Sequence, residues 1–452
     1  MKASYQILFF LFLPLLAYSE LAPDKIYQST HPNNAKLITE VTETGQKITG
    51  ITLQYEDELL LGKNLSNLYQ VEVKLDNKSL GYRNILDAYT QKDFRLKNKP
   101  EIGNTVFLVL DPRDTISGTY ELETVNKEPM TFLAKDKAGS IITKQIVQSN
   151  KIPHFYGDRL RYTIEQKGLI KLSNGKTISP NITEVTAESK NVENIILDKF
   201  QPKKVYIDNP NNYLNYRLYS PNIMKGKKYP LVIFLHGSGQ IGNDNIAHLL
   251  SSRGAISILD YSSSFVLAPQ YQSVFDPFDD KNKGQKGGIH WQTHNRRNLI
   301  LKMIDETIQQ NPDIDKNRIY LIGLSRGAEG AMYLLLDRPN FFAAALLMSG
   351  REAGTVEYID GKATASLLSP IKDIPIWFFH SKEDKVSPVE GSRKNFMILK
   401  YKLHNKNVRY TEFTFLNSGD NGFINNNAHN TWDAVFNSPV VYDWLLQQKR
   451  SE

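Results

Sequence analysis

One serine stands in a setting that would make it a nucleophile. Gly323-Leu324-Ser325-Arg326-Gly327 has the pattern G-x-S-x-G, directly after the apolar run Arg318-Ile319-Tyr320-Leu321-Ile322 and before a stretch rich in Ala, Leu and Met. A strand-to-helix turn this tight holds Ser325 in a strained conformation and lifts its hydroxyl above the sheet edge. Its glycines are needed because a Cβ there would meet neighbouring backbone. The helix that begins behind Ser325 points its positive end at the site, which favours negative charge on a substrate oxygen. The chemistry expected is nucleophilic acyl transfer.

A second segment offers hydrogen-bond donors. Leu231 to Leu235 reads as a strand and runs into His236-Gly237-Ser238-Gly239, whose small residues let backbone approach a carbonyl. The oxyanion hole is expected from the backbone amides of Arg326 and Ser238, with Gly237 the alternative to Ser238. His236 reads as a structural histidine rather than a base.

A nucleophile turn of this kind is followed along the chain by an acid and then a histidine. His380, His404 and His429 lie beyond Ser325. His404 ends a Lys-rich amphipathic stretch and is expected at the surface. His380 ends the run Ile374 to Phe379, too early to follow the acid. His429 is the last histidine and precedes a helical C-terminus, so it is the expected base. Asp384 lies just past His380, and Val386-Ser387-Pro388 turns the chain back behind it; it is the expected acid, with Glu383 solvated. In those roles Asp384 would fix the His429 tautomer, and His429 would take the Ser325 proton and return it to the leaving group.

The elements that must position these residues have two grammars. Up to about Lys199 the chain reads as β. Ile48 to Tyr55 and Tyr69 to Leu75 alternate apolar and polar residues, and Thr105 to Leu110 is more continuously apolar. Short strands at this spacing predict an antiparallel sandwich. From about Phe200, buried-strand runs (Tyr229 to Leu235, Ser264 to Ala268, Arg318 to Gly323, Ile374 to Phe379) alternate with helical spacing at Asn298 to Gln310 and Glu329 to Asp337. That alternation predicts a mostly parallel sheet flanked by helices. The expected division is a β-sandwich with its linker over 20–195 and a catalytic domain over 196–452. The polar, Gly-rich stretch from Gln270 to His290 leads to Trp291, which is expected either to line the substrate pocket or to pack on the scaffold. Trp432 reads as core.

Composition narrows the remaining choices. In 452 residues there is no cysteine, which excludes disulfides and thiolate chemistry. No metal spacing and no phosphate-cradling loop is evident, so no cofactor is expected. The net charge of +7 comes from scattered residues with no dense basic block, which gives no support to nucleic-acid binding. Lys2, the apolar run Ile7 to Ala17 and Ala17-Tyr18-Ser19 have the layout of a secretory signal peptide cut after Ser19. The run is too short to span a bilayer, so a secreted or periplasmic protein without a membrane span is expected.

At these residues the chain resembles a known group. Val232 to Gly239 followed by Asn243-Asp244-Asn245, Asp315 to Tyr320 running into Gly-Leu-Ser, and His429-Asn430-Thr431-Trp432 are similar to the phospholipase/carboxylesterase-like and polyhydroxyalkanoate-depolymerase-like esterases. This resemblance spans about 200–449 and implies an α/β-hydrolase fold. Gly45 to Tyr55 and Gly103 to Leu110 resemble, more loosely, the immunoglobulin-like domain of a bacterial esterase subgroup. The family often has Gly-Leu-Ser-Met-Gly-Gly where this chain has Gly-Leu-Ser-Arg-Gly-Ala. The Arg326 side chain is therefore expected to shape the pocket or to pair with a local acid. The resemblance implies a serine esterase acting on small or polymeric esters. A serine peptidase with the same machinery is the nearest alternative, and an inert surface-binding protein the most distant. The β domain would shield the site, bind an insoluble substrate or mediate self-association.

Overall fold

The computed structural model describes residues 31–60, 64–92, 100–125, 127–147, 150–279, 287–414 and 427–450. The signal-peptide reading of residues 1–19 lies outside them, as do parts of the 270–290 and 425–430 loops.

Alternation builds the N-terminal half. Along Tyr69–Leu75 and Leu160–Gln166 every second side chain is buried, which suits a sheet with one face packed and one wet. A five-stranded sheet (Val192–Asn194, Asn34–Thr42, Gly45–Leu59, Gly103–Leu110, Ile85–Gln91) faces a four-stranded one (Asn181–Thr186, Leu160–Gln166, Tyr69–Leu75, Lys78–Tyr82). Leu37, Ile51, Val71, Val106, Leu108 and Tyr162 fill the space between them. Neighbours run antiparallel except Val192–Asn194, which pairs parallel with the first strand.

Between two strands of this sandwich the chain leaves as an arm. Tyr120–Val125 pairs with Asn150–Phe155, and Met130–Lys135 pairs with Ile141–Ile146. The arm lies against the second half, where Phe132 is buried with Val274 and Ile289.

The second half is one eight-stranded sheet. In chain order its strands are β1 (Phe200–Ile207), β2 (Asn209–Tyr219), β3 (Tyr229–Leu235), β4 (Phe265–Gln270), β5 (Ile314–Leu324), β6 (Ala344–Met348), β7 (Ile376–Ser381) and β8 (Arg409–Phe413). Their spatial order is 1-2-4-3-5-6-7-8, with β1, β2 and β4 meeting antiparallel and the rest parallel. Every residue of β3 and β6 is buried, because helices cover both faces of a parallel sheet. Helices α1 (His294–Gln310) and α2 (Arg326–Asp337) pack on one face; α4 (Trp432–Phe436) and α5 (Pro439–Gln447) pack on the other. Helix α3 (Val389–Met397) lies between β7 and β8 in sequence. This is an α/β-hydrolase sheet preceded by an all-β immunoglobulin-like sandwich. No helix among the described residues is long and apolar enough to cross a membrane.

Candidate active site

The residues singled out in the sequence gather at the carboxyl ends of the parallel strands, where open α/β sheets form their crevice. At the end of β5 the chain reverses into α2 through Ser325, whose φ of +52° and ψ of −118° lie far from ordinary backbone for a residue with a side chain. Two glycines permit the turn. A Cβ on Gly323 would stand 2.3 Å from the Gly327 carbonyl oxygen, and one on Gly327 would stand 1.8 Å from the Leu235 oxygen. The Ser325 amide is held by the Met348 carbonyl at 2.8 Å. The strained turn at Ser325 is thus fastened to β3 on one side and β6 on the other.

Three of the residues singled out in the sequence converge here. Ser325 Oγ lies 2.9 Å from His429 Nε2, and His429 Nδ1 lies 2.7 Å from Asp384 Oδ2. The other Asp384 oxygen accepts the Val386 and Ser387 amides at 2.8 and 3.0 Å. Burial works to raise the Asp384 pKa, but hydrogen bonds from His380 and His429 outweigh it and hold the carboxyl well below its ordinary range. Glu383 is exposed.

The His236–Gly239 segment touches the turn at Ser325. A Cβ on Gly237 would come within 3.4 Å of Ser325 Cβ and 2.7 Å of Leu324 Cδ1. The Gly237 amide donates to Gln240 Oε1 at 3.2 Å, which commits that N–H within the loop. Arg326 opens α2, where the first amides have no acceptor within the helix. The Arg326 side chain turns away and pairs with Glu329, at 3.0 and 2.9 Å to its two oxygens. Of the two expectations for this side chain, pairing with a local acid is the one observed.

His236 is fully buried, and its Nδ1 donates to the Gly237 carbonyl at 2.7 Å. Burial, then the neighbouring His248, holds its pKa well below the ordinary value. It is a neutral prop for the loop.

Of the two expectations for Trp291, packing on the scaffold is the one observed: it is fully buried, and its Nε1 donates to the His236 carbonyl at 2.9 Å. Its ring stands edge-on to Tyr271 at 4.5 Å and packs where Gly330 of α2 leaves room. The indole wedges the end of β3 against α2, so it supports the loop that follows His236 from behind. Trp432 is half-buried, with its ring edge-on to His429 at 5.4 Å.

One residue here escaped the sequence reading, and another was set aside there as a base without its contact with the acid being foreseen. Ser349, at the end of β6, donates to the His429 carbonyl at 2.8 Å and fixes the backbone of that loop. His380 Nε2 lies 3.1 Å from the same Asp384 oxygen that His429 touches. A signal for it existed: a histidine closing β7, four residues before the acid, must face the turn that carries it.

The sandwich domain reaches the site as well. The Lys151 carbonyl of the arm would lie 3.3 Å from a Cβ on Gly239. Leu133 bonds Glu357 and Tyr358 of the loop after β6.

Comparison with known proteins agrees with this architecture. Residues 34–179 match the family model described as "Esterase Ig-like N-terminal domain", and residues 201–433, more than half of the chain, match that described as "Putative esterase". A crystal structure of a thermostable esterase superposes with a TM-score of 0.70 at 26% identity, covering 92% of this chain and 100% of its own. An acylaminoacyl peptidase from Pyrococcus horikoshii shows 12% identity and a TM-score of 0.42, over 90% of this chain and 75% of its own. A CE1 ferulic acid esterase from Anaeromyces mucronatus shows 15% identity and a TM-score of 0.38, over 55% and 90%. No curated protein matches the chain.

Proposed function

The chain belongs to the esterase family and is a carboxylic ester hydrolase, and we propose that it works through an acyl-enzyme formed on Ser325. The observation that carries this reading is the continuous file of hydrogen bonds from Ser325 Oγ through His429 to Asp384, at 2.9 and 2.7 Å. His429 Nε2 takes the hydroxyl proton as Oγ attacks the ester carbonyl. Asp384 holds the Nδ1–H tautomer and steadies the imidazolium. The carbonyl oxygen, now negative, lies against the Arg326 and Ser238 amides and the positive end of α2. Collapse expels the alcohol with the proton from His429. Water, activated by the same imidazole, then releases the acid and restores Ser325.

The substrates of this reading are small carboxylic esters with short or medium acyl chains. Purified protein should hydrolyse p-nitrophenyl acetate or butyrate, and Ser325→Ala should lose that activity by at least about 10³-fold. Undiminished turnover by Ser325→Ala would remove the assignment. Turnover of the matching anilide as fast as the ester would instead favour a peptidase.

Export belongs to the same reading, supported by Lys2, the apolar run Ile7 to Ala17 and the small residues before Glu20. Mature protein should begin at Glu20 and be recovered outside the cytoplasm; a cytoplasmic chain still beginning at Met1 would contradict it.

A further inference from the structure

A carboxylate offers about four acceptor positions, and four donors surround Asp384. Val386 and Ser387 amides take Oδ1 at 2.8 and 3.0 Å. Two histidines converge on Oδ2: His429 Nδ1 at 2.7 Å and His380 Nε2 at 3.1 Å. The acyl-transfer mechanism uses only the first of them.

The protonation of His380 follows from its neighbours. Its Nε2 also lies 3.0 Å from the Ser387 carbonyl oxygen. Both oxygens near Nε2 can only accept, so Nε2 carries hydrogen. Its Nδ1 lies 2.8 Å from Ser392 Oγ of α3, a hydroxyl able to donate. The ring is fully buried, so water does not compete for either nitrogen.

We propose that His380 is a positioning residue for the acid of the triad: Ser392 fixes its tautomer, and its Nε2–H holds Asp384 Oδ2 where that oxygen orients His429. The inference rests on the Ser325–His429–Asp384 reading above. Without this donor, one acceptor position of a buried carboxylate goes unmet and the group is free to rotate. Its negative charge is also shared with one fewer hydrogen bond. Asp384 then pulls harder on the His429 proton, so the base stays charged to higher pH. The groups in contact with this chain are Ser392 from α3, Ser325 from the β5–α2 turn and Trp432 from α4.

The test uses the full chain with His380→Phe, His380→Asn and His380→Gln beside Ser325→Ala. Gln reaches far enough to place an N–H near the position of Nε2; Asn does not. In p-nitrophenyl acetate hydrolysis from about pH 5 to about pH 9, kcat of the Phe and Asn variants should fall about tenfold or more with KM within about twofold. The acid limb of their profiles should move to higher pH, and Gln should retain most of kcat. Folded Phe or Asn variants with native kcat and a native acid limb would overturn the proposal, as would Gln and Asn variants that behave alike. Should Phe fail to fold, the Asn and Gln pair decides. If Ser325→Ala stays fully active, the triad reading itself has failed. If Ser325→Ala is dead and the His380 variants match native enzyme, only this inference has.

Discussion

The guanidinium carbon of Arg326 stands 4.9 Å from the centre of the Tyr358 ring, and the Tyr358 amide bonds the Leu133 carbonyl at 3.1 Å. Through those two residues the sandwich domain's arm touches the residue whose amide is proposed to face the oxyanion. Arg351 lies over the same ring at 5.0 Å. The arm therefore backs the active-site turn through an aromatic ring clasped by two cations.

Phe132 anchors that arm. It stacks on Phe275 with ring centres 5.5 Å apart and meets Tyr358 edge-on at 5.3 Å. Phe132→Ala should cost about 3–5 kcal/mol at this contact. The loss falls on one arm, so local release should precede global unfolding. Limited proteolysis followed by mass spectrometry should find faster cleavage between Phe132 and Ile146, with little change in the main thermal transition. Cleavage at the native rate would show that the arm is held elsewhere.

Glu329 is a buried charge with several partners. It accepts Arg326 at 3.0 and 2.9 Å and Gln292 at 2.8 Å, and Arg351 lies 3.8 Å away. Glu329→Gln keeps the shape and removes the charge, which leaves the Arg326 cation buried without its partner. Breaking such a pair costs about 3–5 kcal/mol, so Tm should drop by on the order of 10 °C. Calorimetry of the two proteins checks this; equal Tm would mean that Tyr358 and solvent suffice for Arg326.

Local pattern made the strained turn at Ser325 legible, because a G-x-S-x-G turn is specified by neighbours in sequence: Gly323 and Gly327 are where a Cβ would strike backbone. Alternation gave Tyr69–Leu75, and unbroken apolarity gave Tyr229–Leu235. Strand Ala344–Met348 carried no strand reading, since Ala and Leu favour helix and only burial between β5 and β7 makes it a strand. The arm was equally silent: Ile141–Ile146 is almost wholly exposed, so nothing in its pattern says what it accompanies. Trp291 faces inward because Tyr271 and His236 stack beside it, a choice made by tertiary contacts. The rule that set His380 aside concerned chain order, and chain order does not report which side chains meet around a carboxylate.

Asp433 gives a pH dependence with a definite sign. Burial, against a hydrogen bond from Asn430, pushes its pKa up to about 7 from an unfolded value of about 3.9. The folded state then binds the proton more tightly than the unfolded one. Stability is fully present below about pH 4, falls as pH rises and levels off above about 7, a loss on the order of 4 kcal/mol. Asp433→Asn cannot ionise and should abolish this slope, making the variant more stable than the native protein at pH 8 and less distinct from it near pH 4. Urea unfolding at several pH values measures it; parallel curves for the two proteins would count against the raised pKa.

Ser238 offers the sharpest test of the oxyanion hole, because its contribution is proposed to be one backbone N–H. Ser238 is the first residue of a short 3₁₀ turn whose preceding residue, Gly237, is extended at φ −84° and ψ 180°. Proline is tolerated at the first position of a helical turn, and an extended residue before it avoids the clash with its ring. Ser238→Pro therefore removes the donor and little else, whereas Ser238→Ala removes only the hydroxyl. With the Arg326 amide left as the remaining donor, kcat of Ser238→Pro should fall about 10²–10³-fold, as loss of a single oxyanion donor does. KM and Tm should stay close to native, and Ser238→Ala should keep most of its activity. A folded proline variant with near-native kcat would move the second donor off Ser238. The Gly237 amide is bonded to Gln240 at 3.2 Å, so that result would point to the Gly239 amide or to a Gly237 amide freed on substrate binding.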